Sequence, residues 1–363
     1  MSIIIFLLVL FVLVLVHEWG HFIVAKKTGM RVDEFGIGFP PKLFSLKKGE
    51  TEYSFNLLPV GGFVRIFGEN PEETDAASSD ASRAFSARPK WAQALVLVAG
   101  VAMNVLFAWF LFTTTYLIGV PTPVSDDVAS ESAKLYIAGV LPDSPADGVI
   151  PSGAEILSIA DEDETIAKPS PTVFSQFISE RAPDPVTIVF THNHKEERVS
   201  LAPVTGLVAD NKEQYLIGTS LTYVEIQKQS FFSAIGSGFT TSLQGLSAIT
   251  VGLLTLIKDT FVGQADFSSV TGPVGIVGLV GDAAAFGFTT LLTFTAIISL
   301  NLAVVNLLPF PALDGGRLLF VVLEAIARKN IPAVWATRAN LVGFTLLMLL
   351  MVAVTYNDIV KLL

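Results

Sequence analysis

The sequence contains no cysteine and only four histidines, and just 15% of its residues are charged. Without cysteine there is no disulfide framework and no thiolate metal site, so a bound metal must be held by His, Asp or Glu. The low charge accompanies 51% hydrophobic residues and a mean hydropathy of +0.60, which is typical of a polytopic membrane protein. A basic surface for nucleic acid is also excluded, because the formal net charge is −10.

The negative charge is concentrated in one part of the chain. Residues 120–230 contain 17 acidic and 7 basic residues, a balance of −10, whereas residues 26–90 contain 10 basic and 9 acidic residues. Residues 315–340 carry four basic residues against one acidic residue. Because loops rich in Lys and Arg tend to stay in the cytoplasm, we expect 26–90 and 315–340 to be cytoplasmic and 120–230 to be outside.

A run of apolar residues near the start of the chain leads directly into His17, Glu18 and His21. The two histidines are four residues apart, so on a helix both imidazoles project from one face. This H-E-x-x-H pattern supplies two metal ligands and a glutamate that can act on the proton of an activated water. The alternative is that the two histidines and the glutamate only solvate the end of a helix, beside the basic pair at 26–27. A charge inside a membrane costs about 2.5–3.5 kcal/mol, which favours a functional role.

Four segments are long and apolar enough to be predicted as membrane spans. They are approximately Ile3–Ala25, Ala92–Gly119, Phe288–Leu308 and Ala333–Tyr356. The first is unlike a signal peptide, because basic residues follow it and do not precede it, and these flanks favour an external N-terminus. We interpret Phe231–Val262 as an amphipathic helix at the outer membrane surface, with a fifth span as the alternative.

Residues 29–68 favour β structure, since a breaker cluster at Gly36–Pro40 and a Gly61-Gly62 pair separate partly alternating stretches. These residues predict a hairpin or small sheet. The sheet can be membrane-associated or part of an ordinary cytoplasmic β-domain, and the sequence favours neither. Residues 69–90 are polar and acidic, so we expect a mobile loop. Thr271–Gly275 opens a further helix that leads toward the membrane.

Residues 121–210 predict a soluble α/β insertion with a strand–turn–strand pattern, a helix at Thr172–Glu180 and a strand at Val186–Thr191. The Ser144-Pro145-Ala146 step and the following turn resemble those of PDZ domains in envelope proteases, although Ala154-Glu155 replaces the usual Gly-Asp. This resemblance implies peptide binding by β-strand addition. His192 and His194 lie two residues apart, on one face of a strand or at its hairpin exit. They could hold a metal, but a solvated loop is expected, because no third metal ligand lies nearby in the sequence.

A catalytic zinc site usually has three protein ligands and one open position. His17 and His21 supply two ligands, and the third must be Asp or Glu, because the other histidines lie in the insertion. Asp314 stands out, since prolines and glycines flank it at a membrane depth where an unpaired carboxylate is costly. The alternative role for Asp314 is a helix cap at a cytoplasmic loop.

The sequence as a whole resembles the site-2 protease family of intramembrane zinc metalloproteases, in its bacterial envelope-stress branch with an extracytoplasmic PDZ domain. The motifs that carry the resemblance occur in the same order over nearly the whole chain: His17–His21, Gly36-x-Gly38, Leu58–Gly62, the PDZ-like insertion and Asn306–Gly315. The resemblance implies a polytopic α-helical membrane protein with about four transmembrane helices, a membrane-associated β-loop and an inserted PDZ-like α/β domain. Where well-known relatives have two PDZ domains, this sequence predicts one.

The resemblance also implies a role for each site residue. Glu18 would be the general base, and Asn306 would position the substrate backbone or stabilise the oxyanion. The implied ligands of Zn2+ are His17, His21 and Asp314. The glycines implied to bind substrate, in the β-loop, are Gly36, Gly38, Gly61 and Gly62.

The implied domains are an N-terminal membrane half (1–120), the PDZ-like domain (121–210), an amphipathic connector (211–287) and a C-terminal membrane half (288–363). The implied function is zinc-dependent cleavage within transmembrane segments of single-pass proteins, such as pre-trimmed anti-sigma factors or signal-peptide remnants, in regulated intramembrane proteolysis. The expected location is the bacterial inner membrane, with the active site toward the cytoplasm and the PDZ domain outside. Expected partners are such segments, a peptide or trimmed terminus at the PDZ domain, and the lipid bilayer, but no nucleic acid.

Two other functions fit parts of the sequence. A metal or ion transporter also has intramembrane His and carboxylate groups, but these should be spread along the spans. A catalytically silent PDZ scaffold would explain the insertion, although it leaves the ligand set without a purpose.

Overall fold

A computed structural model describes residues 2–69, 80–124, 130, 133–192, 195–207, 214–264, 271–329 and 331–362. The chain forms two units, which we call the helical unit (Met1–Thr115 with Ser230–Leu363) and the inserted unit (Tyr116–Gln229). The elements of the helical unit are α1 (Ser2–Lys27), β1 (Val32–Lys48), β2 (Thr51–Ile66), α2 (Lys90–Ile118), α4 (Phe231–Val262), α5 (Pro273–Ala285), α6 (Phe288–Leu307), α7 (Asp314–Ala327) and α8 (Ala333–Leu362). The elements of the inserted unit are β3 (Val120–Val124), β4 (Lys134–Val140), β5 (Glu155–Ala160), β6 (Thr165–Ala167), α3 (Pro171–Arg181), β7 (Val186–His192), β8 (Lys195–Leu201) and β9 (Thr219–Gln227).

Within the described residues, five helices are long and apolar enough to cross a membrane. Four of them, α1, α2, α6 and α8, correspond to the predicted spans, and α4 is the fifth. A helix suits this setting because it satisfies its own backbone hydrogen bonds in lipid. α4 packs along its neighbours: the Trp109 indole donates to the Ile235 carbonyl at 3.0 Å. The chain is a membrane protein, and its count of four spans stays a prediction.

β1 and β2 form the β structure that was predicted for residues 29–68. Residues 34–37 of β1 have partners on both sides, since Glu34 pairs with Arg65 and also with Glu52. The two long strands therefore bend into a sheet in which 34–37 lies between 52–55 and 62–65. Residues 70–79 of the mobile loop expected at 69–90 lie outside the described residues. The rest of that stretch includes two short 3-10 turns at Ala81–Arg83 and Phe85–Ala87, and Lys90 begins α2.

The inserted unit contains a seven-stranded sheet in the order β3-β9-β4-β5-β7-β8, with β6 paired to β5. The predicted helix and strand are present as α3 and β7, and α3 begins where the Ser170 hydroxyl accepts from the Val173 amide. Phe174, Phe177 and Phe190 lie in the core between the helix and the sheet. The unit extends past the predicted boundary at 210, because β9 pairs with both β3 and β4.

α5 begins at Pro273, within the stretch predicted to open a helix, and its N-terminus is held by Asp358 of α8. The two carboxylate oxygens of Asp358 accept from the backbone N–H groups of Gly272, at 3.0 Å, and Gly275, at 2.8 Å. A side chain on Gly272 would collide with this carboxylate, since its Cβ would lie 2.7 Å from Asp358 Oδ2. The buried carboxylate of Asp358 is thus stabilised by the N–H groups at the N-terminus of α5.

Glu50, in the turn between β1 and β2, joins three segments of the helical unit. Its carboxylate accepts from Lys26 at 2.6 Å and from Arg83 at 2.7 and 2.8 Å. These hydrogen bonds, those from Arg83 first and that from Lys26 next, lower the pKa of Glu50 to about 2. The ion pairs therefore fasten the sheet to the end of α1 and to the segment before α2.

We predict that Glu50→Gln lowers the stability of the purified protein at pH 7 by about 1 kcal/mol, since the pairs are partly exposed. Because the pKa of Glu50 is lowered on folding, its contribution is complete above about pH 4.5 and is lost as the pH falls toward about 2. Thermal unfolding should show a difference between variant and parent at pH 7 that shrinks below pH 4. The control is Glu162→Gln, an exposed carboxylate of the inserted unit. An equal shift in both variants would contradict the prediction.

Candidate metal centre

α1 brings His17, Glu18 and His21 to the same region of the helical unit. Both histidines are buried, each with 8% of its surface exposed. Their Nε2 atoms lie 3.2 Å apart, so the four-residue spacing does place both imidazoles on one face. The side chains therefore point at one common position and not along the helix.

Asp314 reaches the same position from the other end of the sequence. Its Oδ2 atom lies 3.0 Å from His17 Nε2 and 3.3 Å from His21 Nε2. The residue before it, Leu313, occupies the cap position of α7, so Asp314 is the first residue inside the helix. The turn is tight because Gly315 and Gly316 lie against backbone carbonyls at 308 and 310, where a Cβ would come within 2.2 Å.

These three atoms suit a divalent cation. His21 Nδ1 lies 2.8 Å from the Val96 carbonyl, which only accepts, so a neutral His21 carries its proton on Nδ1 and presents an Nε2 lone pair. Unless an imidazole is protonated, the lone pairs of His17, His21 and Asp314 repel one another at these separations, and a bound cation relieves that repulsion. Tetrahedral zinc with bonds of about 2.0–2.1 Å holds its ligand atoms about 3.3 Å apart, which matches the observed separations.

α2 supports the centre from one side with three residues spaced four apart. The Val96 carbonyl is the hydrogen-bond partner of His21, and the Asn104 amide lies 3.3 Å from His17 Nδ1. Between them, Gly100 leaves the space that both imidazoles need: a Cβ there would be 2.4 Å from His21 Nε2 and 2.7 Å from His17 Cε1. Gly100 and Asn104 therefore face the candidate metal ligands.

β2 supports the centre from another side. The Val64 backbone N–H donates to the carboxylate of Glu18. Gly62 lies next to the same residue, since its Cβ would be 3.9 Å from Glu18 Cγ, and Gly61 lies against Val14 of α1. Glu18 is thus oriented by backbone of the bent sheet.

The four glycines expected to bind substrate divide into two pairs. Gly61 and Gly62 lie beside α1 at the candidate metal centre. Gly36 lies under the ring of Phe63, and Gly38 has a φ of +80°, where an added Cβ would lie 2.7 Å from the Leu58 carbonyl oxygen. Gly36 and Gly38 therefore shape the sheet, and their substrate contact stays a prediction.

Two cavities adjoin the centre, and both are lined by Glu18 and Asp314. One, of about 300 Å³, is also lined by His17, Asn104 and Asn306, so the structure brings the predicted Asn306 to the same site. The other, of about 170 Å³, is lined by His21, Glu69 and Arg317.

Arg317 forms an ion pair with Glu69, and the two residues line the smaller cavity together. Burial lowers the pKa of the Arg317 guanidinium below its ordinary value, and the nearby Glu18 carboxylate opposes that change. Sequence reasoning did not assign a role to either residue. The signal that was available is the position of Arg317, one helical turn after Asp314.

Of the remaining histidines, His192 ends β7 in the inserted unit, and His194 lies outside the described residues. His17, His21 and Asp314 form a group whose potential ligand atoms all lie within 4.8 Å.

A family model described as Peptidase family M50 matches residues 5–350. The chain belongs to Peptidase family M50. The predicted resemblance to site-2 proteases is thereby confirmed, and with it a membrane metalloendopeptidase that uses Zn2+.

Relatives of this M50 peptidase match it over almost their full length. A Clostridium perfringens protein assigned as a zinc metalloprotease is 38% identical over 362 residues, covering 99% of each chain. The zinc metalloprotease RasP of Oceanobacillus iheyensis and the regulator of sigma-W protease RasP of Bacillus subtilis are each 29% identical, covering 99% of each chain. A PDZ domain from a Listeria monocytogenes SdrC-like protein is 23% identical, with a TM-score of 0.21, over 26% of this chain and 90% of that one. A TM-score this low carries no argument, so the PDZ assignment stays a prediction.

We predict that Gly100→Ala lowers the zinc content of this M50 peptidase about 10-fold or more, because the added Cβ would force α2 away from both imidazoles. The matched control is Gly252→Ala on α4, where an added Cβ meets no described atom within 4 Å. That variant should keep its zinc. Metal analysis of both purified proteins checks the prediction, and normal zinc content in Gly100→Ala would contradict it.

Proposed function

We propose that this M50 peptidase hydrolyses peptide bonds within the transmembrane segments of single-pass membrane proteins, as a step of regulated intramembrane proteolysis. The observation that carries the proposal is the convergence of His17, His21 and Asp314 within 3.3 Å, between helices long enough to cross a membrane. A hydrolytic centre at this position can reach a peptide bond that lies inside the bilayer.

In this proposal His17, His21 and Asp314 hold the zinc, which when bound supplies Lewis-acid activation of water near neutral pH. Glu18 takes the proton of the attacking water and returns it to the leaving amine. Its hydrogen bond from Val64 keeps the carboxylate directed at the site. Asn306 lines the larger cavity beside Glu18 and donates its amide to the substrate carbonyl, where negative charge develops.

The substrate is proposed to bind as an extended strand along residues 62–64 of β2. These residues pair with β1 on one side, and the Val64 N–H on the other side faces Glu18. Strand addition at this edge would unfold a helical segment locally and present its backbone to the base. A helix, by contrast, keeps its peptide bonds shielded by its own packing.

The far end of the β1–β2 sheet is proposed to enter the membrane interface. Its exposed apolar side chains are Phe39, Leu43, Phe44, Leu46, Leu57 and Leu58. Lysines at 42, 47 and 48 lie beside them, a combination suited to lipid tails and anionic headgroups. This favours the membrane-associated sheet over an ordinary cytoplasmic β-domain.

The inserted unit is proposed to bind a peptide or a trimmed substrate terminus. A cavity of about 380 Å³ lies between α3, at Phe174 and Ile178, and the start of β9. β3 pairs with β9 from Tyr223 onward, so in the described part of the chain residues 219–222 have a strand partner on the β4 side alone. A peptide could extend the sheet there.

The remaining part of the proposal concerns location: a bacterial inner membrane, the metal centre toward the cytoplasm and the inserted unit outside. It is supported by the acidic balance of residues 120–230 and the basic balance of 315–340. Against an ion transporter, the buried ionisable groups of α1 and α7 converge on one site, and buried Asp358 of α8 is engaged by two backbone N–H groups.

We predict that Glu18→Gln abolishes cleavage, by about 100-fold or more, and leaves zinc bound, because the amide cannot accept the proton of water. Asp314→Ala should lose the metal itself. Zinc analysis together with cleavage of a reconstituted single-pass substrate separates the two variants. Full cleavage by Glu18→Gln would refute the mechanism, and unchanged zinc content in Asp314→Ala would refute its ligand role.

The absence of cysteine makes the orientation directly testable. We predict that Thr205→Cys, in the inserted unit, reacts with an impermeant maleimide added outside the cell. Lys48→Cys, at the β1–β2 turn, should react after the membrane is opened. Gln264→Cys, just after α4, tests the number of spans. If α4 does not cross the membrane, Gln264→Cys lies on the same side as Thr205→Cys and is labelled from outside. If α4 is a fifth span, it lies on the same side as Lys48→Cys and is labelled only after the membrane is opened. Labelling of Lys48→Cys from outside would overturn the orientation.

A further inference from the structure

The two histidines of the candidate metal centre are supported differently on their far sides. His21 Nδ1 lies 2.8 Å from a backbone carbonyl, that of Val96, and so has an acceptor whatever its surroundings. His17 Nδ1 lies 3.3 Å from Nδ2 of the Asn104 amide. Whether His17 Nδ1 has a hydrogen-bond acceptor therefore depends on the orientation of the Asn104 amide. Asn104 is completely buried.

The tautomer of His17 follows from its surroundings. Its Nε2 faces His21 Nε2 at 3.2 Å and Asp314 Oδ2 at 3.0 Å, the position where the proposed function requires a free lone pair. A neutral imidazole carries one proton, so that proton is on Nδ1, which then needs an acceptor. A ligating histidine generally donates its second N–H to an oxygen in this way.

The Asn104 amide can supply that acceptor only through its oxygen. With Nδ2 toward His17, two N–H groups would face each other, and Asn104 Oδ1 is buried without a hydrogen-bond partner among the described residues. A half-turn of the amide exchanges these two atoms with almost no change of shape. After that turn, Oδ1 accepts from His17 Nδ1, and both the donor–donor contact and the unpaired oxygen disappear.

The position of Asn104 is itself held from a third helix. The Ser299 hydroxyl of α6 donates to the Asn104 backbone carbonyl at 2.8 Å, and both residues are fully buried. This bond joins the α2 backbone at Asn104 to α6 and so restricts how far Asn104 can shift relative to α6.

We propose that Asn104 is a positioning residue for the metal ligand His17, whose Nδ1–H donates to the Asn104 side-chain oxygen and so directs the Nε2 lone pair at the zinc. This inference rests on the proposed function, because it takes zinc as the group that His17 Nε2 binds. In this proposal Asn104 orients a metal ligand, a role beyond the packing of α2 against its neighbours.

The test compares two substitutions with opposite hydrogen-bonding ability in the full-length protein. Asn104→Asp keeps an acceptor, whereas Asn104→Leu keeps the approximate volume and removes it. The matched control is Thr115→Val on the same helix, since the buried Thr115 hydroxyl donates to the Leu111 carbonyl at 2.8 Å. Zinc affinity is measured by competition with a chelator of known strength.

We expect Asn104→Leu to bind zinc about 10–100-fold more weakly than the parent, and Asn104→Asp and Thr115→Val to bind it within about threefold. Because the chain has only four histidines, nitrogen-15 labelling of histidine gives a second readout. The Nδ1–H proton signal of His17 should shift in Asn104→Asp and stay in place in Thr115→Val. This second readout keeps the proposal testable if Asn104→Leu fails to fold.

Equal zinc affinity of parent and Asn104→Leu would overturn the inference and leave the proposed function intact. A loss of zinc in Asn104→Asp as large as in Asn104→Leu would also overturn it, since both would then report packing. A His17 proton on Nε2 in the zinc-loaded parent would have the same effect. If the parent itself bound no zinc, the proposed function would fall, and this inference with it.

Discussion

Two imidazole nitrogens and one carboxylate oxygen that face one another form an arrangement that a bound cation stabilises. In this chain those atoms lie within 3.3 Å, in a buried region where the repulsion is weakly screened. The rest of the helical unit can be understood as the means of holding them there. α1 supplies two of the candidate ligand atoms, the first residue of α7 supplies the third, and α2 packs behind them.

The residues of α2 that pack behind these atoms are Val96, Gly100 and Asn104, which lie on one face of the helix. The glycine lets the two helices approach until the imidazoles nearly touch the α2 backbone, and the residues one turn before and after it engage the two outer nitrogens. The bent β1–β2 sheet plays the matching part for Glu18 through the Val64 N–H. The two histidines and Glu18 all lie on α1, but different elements contact them: α2 contacts the imidazoles and β2 contacts the carboxylate.

Much of this could be predicted from residue types. H-E-x-x-H and the absence of cysteine left Asp or Glu as the third ligand, and local periodicity located α3, β7 and the apolar helices within a few residues. The contribution of Val96 could not be predicted, because every residue has a carbonyl and the side chain carries no signal. The length of the inserted unit was missed for a different reason: β3 and β9 pair across about a hundred residues, and no local pattern reveals such a partner.

The distance in sequence between His17 and Asp314 has a consequence for how the protein is made. A chain that leaves the ribosome with α1, the sheet and α2 in place has the base and two ligands, and still no complete metal site. The third candidate ligand, Asp314, is the first residue of α7 and is synthesised after the whole inserted unit. A chain that stops before Asp314 therefore lacks one of the three candidate metal ligands.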